Sequence, residues 1–69
     1  MPKIGDIYSL AENDYRYGTG PLVARVVEVV KEVLFQNEPW WDVEAVVKPP
    51  DTNGPGRERR LYVRAASLR

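Results

Sequence analysis

Between positions 39 and 50 the chain alternates. Trp41, Val43, Ala45 and Val47 fall on one side of an extended backbone, and Trp40, Asp42, Glu44, Val46 and Lys48 on the other. Successive side chains of a strand point to opposite faces, so this period of two predicts a half-buried strand with prolines at both ends. The side carrying Trp41 is apolar enough to face a core. The side carrying Trp40 is mostly polar and is expected to face water. A second alternation over residues 58–64 predicts the last strand, with Leu61 and Val63 on one face and Arg60, Tyr62 and Arg64 on the other. Residues 65–68 then read as one helical turn that returns Leu68 to the core. Residues 4–10, IGDIYSL, predict a first short strand that starts at the bend Gly5-Asp6. Alternation leaves open whether Ile7 or the set Ile4, Tyr8 and Leu10 faces inward.

Residues 21–36 admit two readings. Val23, Val26, Val27, Val30, Val33 and Leu34 recur at near-helical spacing, with Pro21 suited to a first helical turn and Thr19 to its cap. Against a helix, six valines crowd into the eleven residues from 23 to 33. β-branched side chains lose rotamer freedom in helices and suit strands. The alternating set Val23, Arg25, Val27, Val29, Lys31, Val33 and Phe35 is imperfect, as in a long strand carrying a bulge or a strong bend. The strand is the favoured reading.

Turn chemistry separates these segments. Residues 11–20, AENDYRYGTG, read as a loop in which Tyr15 and Tyr17 interrupt a polar run. Asn37-Glu38-Pro39 is expected to turn the chain into the tryptophan strand. Residues 49–56, PPDTNGPG, read as a surface loop with positive φ at Asn53-Gly54. Four to five short strands in 69 residues predict an all-β fold, a small antiparallel barrel with a short C-terminal helical turn, in one domain over residues 1–69. Closure removes the open edges of a flat sheet.

Composition narrows the chemistry. With neither cysteine nor histidine, the chain has no thiolate and lacks the commonest general base and metal ligand. No cofactor and no metal are expected. The net charge of zero argues against nucleic-acid binding by bulk electrostatics. The charge is uneven, however: Arg57, Arg59, Arg60, Arg64 and Arg69 against Glu58 give the C-terminal segment +4, and residues 1–56 carry −4. No apolar run reaches the length of a membrane helix and the N-terminus lacks a signal-peptide core, so a soluble, cytoplasmic protein without membrane contact is expected.

The order of strand, aromatic loop, strand, tryptophan strand, loop, strand and helical turn resembles an SH3-like barrel. Trp40-Trp41, following the acidic turn Asn37-Glu38 and followed by alternation through Ala45, resembles the paired-tryptophan strand of SH3 domains. VRAASL resembles their closing turn, and Asp14-Tyr15 their peptide-gripping aromatic loop. The Pro and Tyr that SH3 domains carry near that turn are replaced by Ala65-Ala66-Ser67-Leu68. IGDIYSL, GPLVARVVEVVKE, VVKPPDT and LYVRAASL are also similar in order to the core strands of the bromo-adjacent homology (BAH) barrel. What both resemblances imply is the barrel.

Candidate sites follow. Trp40 and Tyr62 are expected to face outward, beneath a loop bearing Tyr15 and Tyr17. Exposed aromatics supply large contact area at low entropic cost and are enriched in binding hot spots. Asp14, Glu38 and Asp42 would surround this patch and favour an Arg- or Lys-bearing peptide. Alternatively the rings cap the ends of the barrel. Arg57, Arg59, Arg60 and Arg64 form a second candidate, for nucleic-acid phosphates; the plainer reading pairs them with Asp42 and Glu44 across strands. The carboxylate pairs Glu28/Glu32 and Asp42/Glu44 lack a supporting base, and Gly54, Gly56 and Arg57 lack the Gly-Lys-Ser/Thr ending of a phosphate loop. No catalytic residue is assigned. The expectation is a non-enzymatic protein-interaction module or small accessory subunit. The alternatives are a nucleic-acid-binding barrel and a structural homodimer.

Overall fold

A computed structural model describes residues 1–18 and 20–68. Thr19, the cap of the helical alternative, and Arg69 lie outside the described residues. Five strands form one antiparallel sheet: β1 (Ile7–Leu10), β2 (Tyr15–Arg16), β3 (Leu22–Phe35), β4 (Glu38–Lys48) and β5 (Arg57–Arg64), in the order β1-β3-β4-β5-β2. The two edge strands follow one another in sequence. A single 3₁₀ turn, Glu12–Asp14, bridges them and brings the ends of the sheet together as a nearly closed barrel. The chain is all-β, with the general shape of an SH3-like barrel.

The inward residues of β4 and β5 are those the alternation selects. Val43, Ala45 and Val47 of β4 and Leu61 and Val63 of β5 are buried, and Trp41 and Leu68 pack against them. β1 supplies Leu10 and the partly buried Tyr8, which settles the open choice: Ile7 and Ile4 face outward. β1 is also shorter than expected, because Gly5 takes a positive φ of 94° and Asp6 holds the backbone N–H of Lys3 in the turn before it.

Residues 21–36 are strand, not helix. β3 carries two irregularities in its pairing with β4, which make Val27 and Val30 extra residues. Each bulge bends the strand and raises its twist. Fourteen straight residues would reach roughly 43 Å, yet the longest dimension of the molecule is 36 Å. The bulges let one strand run from the barrel wall into a projecting hairpin.

Four expectations need correction. The β3–β4 turn is Gln36-Asn37, with φ of 53° and 65° and Phe35 paired to Glu38, so it is a two-residue hairpin of type I′ and not a turn at residues 37–39. Pro39 sits inside β4. The ladder alternation turns its nitrogen away from β3, and pairing with β5 begins only at Trp40, so the missing N–H costs no bond. Within residues 11–20 the structure forms a 3₁₀ turn and β2 where a loop was expected, because Tyr15 pairs with Val63 and enters the core. In the loop of residues 49–56, the non-glycine residue with positive φ is Asp51.

Polar contacts complete the closure. Asp14 accepts from the Ala11 N–H and from the Ser67 hydroxyl, both at 2.8 Å, tying the 3₁₀ turn between the edge strands to the second one, Ala65–Ser67.

Candidate functional site

The outer face of the sheet is not a simple wet face. Trp40 is opposite Val33 on β3 and Arg64 on β5. Its ring meets Phe35 edge-on at 6.5 Å between centroids. The Arg64 guanidinium lies 4.8 Å from the indole centroid, and that of Arg16 lies 5.1 Å from it and 4.5 Å from Phe35. These neighbours leave Trp40 only 2% exposed. The expectation of an outward indole in water is therefore wrong in its second half: the side chain does leave the barrel core, but long arginine stems and a phenylalanine roof it over. Its Nε1–H is buried with no acceptor among the described residues.

Tyr15 is displaced from the candidate patch too. It lies in the core, with its hydroxyl donating to the Gly20 carbonyl at 2.8 Å. Tyr17 and Tyr62 remain where the sequence put them, on the surface.

The three acidic residues expected around the patch are engaged inside the molecule. Asp42 is buried and accepts two hydrogen bonds from Arg60, at 2.8 and 2.7 Å. These bonds outweigh the cost of burial and hold its carboxyl below the usual aspartate range. They also hold the Arg60 guanidinium charged, above its ordinary value. Glu38 takes both oxygens to Arg64, which donates in addition to the Asn13 carbonyl. Asp14 is lowered by the Ala11 N–H and then by the Ser67 hydroxyl. A ring of spare carboxylates around the aromatic patch, as expected for a basic peptide, is not present.

The arginine run divides as well. Strand alternation sends Arg60 and Arg64 to the outer face, where Asp42 and Glu38 neutralise them. Arg57 and Arg59 sit at the barrel mouth beside Lys48. They line a cleft of ≈620 Å³ whose described lining contains no carboxylate, and Arg59 donates to the Tyr17 carbonyl.

A second cleft, of ≈290 Å³, opens on the outer face above Trp40. Its rim is Tyr17 and Arg16 from the segment around β2, Tyr62 from β5, and Val33, Leu34 and Phe35 from the end of β3. Tyr17 is 68% exposed, Leu34 73%, Phe35 40% and Tyr62 38%. Four large apolar side chains thus stand in water around one depression, an arrangement that soluble proteins rarely leave without use. Sequence reasoning found Tyr17, Trp40 and Tyr62 of this set. It missed Leu34, which fits the helical spacing, and Phe35, which fits the alternating set, because neither pattern shows that a hairpin tip has nothing to cover them; it also missed Arg16, whose flanking tyrosines in Tyr15-Arg16-Tyr17 are the available signal.

Among the described residues no group of three or more potential metal ligands converges, and no helix is long and apolar enough to cross a membrane. Comparison with known proteins matches the chain to no family model, no curated protein and no solved structure.

Proposed function

We propose that this protein is a non-enzymatic interaction module that docks a segment of a partner protein on the cleft above Trp40. The supporting observation is the convergence of Tyr17, Leu34, Phe35 and Tyr62, all exposed, on one depression with a rigid aromatic floor. Aromatic anchors fixed by packing lose little entropy on binding, which is what a hot spot requires. The floor is held by the Arg64 clamp and the Phe35 edge contact, so the cleft is formed before any partner arrives. The test is a peptide-display selection on the whole protein, repeated on Leu34→Ser and Tyr62→Ser. Peptides lost from both variants support the reading. Recovery of the same peptides by all three proteins refutes it, as does a stable dimer in sedimentation that covers these residues.

The barrel mouth favours a second reading. Lys48, Arg57 and Arg59 around a carboxylate-free cleft suit a phosphate backbone. Fluorescence anisotropy with labelled single- and double-stranded oligonucleotides at several salt concentrations tests it. With three cations engaged, log affinity against log salt should fall with a slope of roughly −2 to −3. Absent binding, or binding insensitive to salt, rejects this reading.

A further inference from the structure

We infer that the segment recognised at the Trp40 cleft carries a carboxylate beside its apolar anchor. This rests on the docking reading above and adds the chemistry of the ligand. It also reverses the charge preference expected from the sequence.

The argument is one of unspent charge. The ion pairs among the described residues are Arg60–Asp42 and Arg64–Glu38. Arg16 belongs to neither, and no described hydrogen bond engages its guanidinium. Its guanidinium carbon lies 4.5 Å from the Phe35 centroid and 5.1 Å from that of Trp40, and the side chain is only partly buried. The two rings stand 77° apart, so the planar group lies face-on to at most one of them; neither ring supplies an oxygen acceptor, and the N–H donors of Arg16 remain available to one. Those donors form a planar fork matched to a carboxylate, and the side chain is set in the rim of an apolar cleft. Among the described residues, Asp42 and Glu38 are consumed by Arg60 and Arg64, and Glu12, which shares a depression with Arg16, accepts from the Gly20 N–H; none of them is paired with Arg16. A basic peptide would meet like charge there. Self-association about a two-fold axis at the cleft is disfavoured for the same reason, because it would bring Arg16 toward its own copy without a carboxylate to separate them.

Single-residue swaps in the probe separate the possibilities. Peptides selected on the whole protein from a random 12-residue display library are synthesised with each Asp or Glu replaced by Asn or Gln. Their affinity is measured by anisotropy on the wild-type protein and on Arg16→Gln. The inference predicts an apolar anchor with at least one acidic position whose neutral form binds about tenfold or more weakly to wild type. The same swap should cost less than about twofold on Arg16→Gln, since the cation it answered is gone. The peptide swap leaves the protein untouched, so it reads correctly even if Arg16→Gln loses stability. Peptides that depend on Leu34 and Tyr62 but tolerate every acid-to-amide swap overturn this inference and leave the docking reading standing. Peptides that depend on neither residue overturn both.

Discussion

Replacing Trp40 by alanine tests the central structural claim, that the first of two adjacent tryptophans on an alternating strand is enclosed without belonging to the barrel core. Truncating a buried tryptophan costs about 3–5 kcal/mol through lost transfer energy and the cavity left behind. Here the ring also makes an edge contact with Phe35 and lies against two guanidinium groups, which places the expected loss in the upper half of that range. A chain of 69 residues has a total stability of roughly 3.5–10 kcal/mol. Trp40→Ala should therefore remove a third or more of it.

Urea denaturation followed by far-ultraviolet circular dichroism measures this directly. With a slope of about 1 kcal/mol/M for so small a domain, the midpoint should fall by about 4–5 M or the variant should be unfolded without denaturant. Tyr17→Ala is the internal reference: at 68% exposure its effect should stay within about 0.5 kcal/mol. Trp40→Phe covers the case in which alanine unfolds the chain. The smaller ring gives up roughly 2 kcal/mol of packing. It recovers about 1 kcal/mol because the buried Nε1–H, which has no acceptor among the described residues, is deleted. A Trp40→Ala loss no larger than that of Tyr17→Ala would refute the enclosure and the rigid floor that the docking cleft needs.

Four further outcomes follow from other parts of the fold. Gly56→Ala should destabilise by about 1–3 kcal/mol, because a Cβ there would come 2.5 Å from Val46 Cγ1 and 2.9 Å from the Val47 carbonyl, whereas Gly54→Ala meets nothing within 4 Å and should be neutral in the same melt. Changing Gln36-Asn37 to Asn-Gly should raise the melting temperature by about 4–8 °C, since Gln36 at φ 53° bears a left-handed cost of about 1 kcal/mol that the new pair relieves. Asp6, Asp14 and Asp42 all titrate below their ordinary 3.8 in the folded chain, so the stability they contribute is complete above that value and is lost below it, as pH falls through their lowered folded values; an acid melt should show this limb flattened in Asp42→Asn, and alkaline pH should destabilise through Tyr8, which burial and then its bond to Asp6 raise above 10. Glu32→Val should promote concentration-dependent aggregation in light scattering, because β1 pairs β3 only over Leu22–Arg25 and the charges of the projecting half guard an open edge.

The parts of this fold that could be read from sequence are those where alternation runs unbroken. Trp41, Val43, Ala45 and Val47, and Leu61 and Val63, point inward as their pattern dictates. β3 resisted the same reading for a physical reason. A residue inserted at Val27 and another at Val30 stretch the inward spacing from two to three, giving Leu22, Ala24, Val26, Val29 and Glu32. A strand with two bulges thereby imitates a helical period, and valine content was the cue that separated them. The turn was misplaced because Gln-Asn lacks the glycine that normally announces a type I′ geometry. A two-residue strand is too short to alternate, so the sequence alone presents Tyr15 as a loop aromatic.

The error over Trp40 has a different origin. Alternation says which side of a sheet a residue occupies and says nothing about what lies over it. On one strand face of this chain stand Trp40, Asp42 and Glu44 in a row, and the structure gives the first two different covers. Asp42 is sealed by one arginine reaching across from β5, so an acidic position becomes buried and electrically silent. Trp40 is sealed by two arginines whose guanidinium carbons lie 5.1 and 4.8 Å from the indole centroid, and among the described residues only Arg64 of the two has its charge answered by a carboxylate, that of Glu38. Among the described residues Asp42 and Glu38 are both paired while Arg16 is in no ion pair, which makes this face cationic and aromatic although the chain as a whole carries no net charge. Net charge is thus a poor guide to this face. The pairing pattern, which depends on register between β4 and β5, decides its sign.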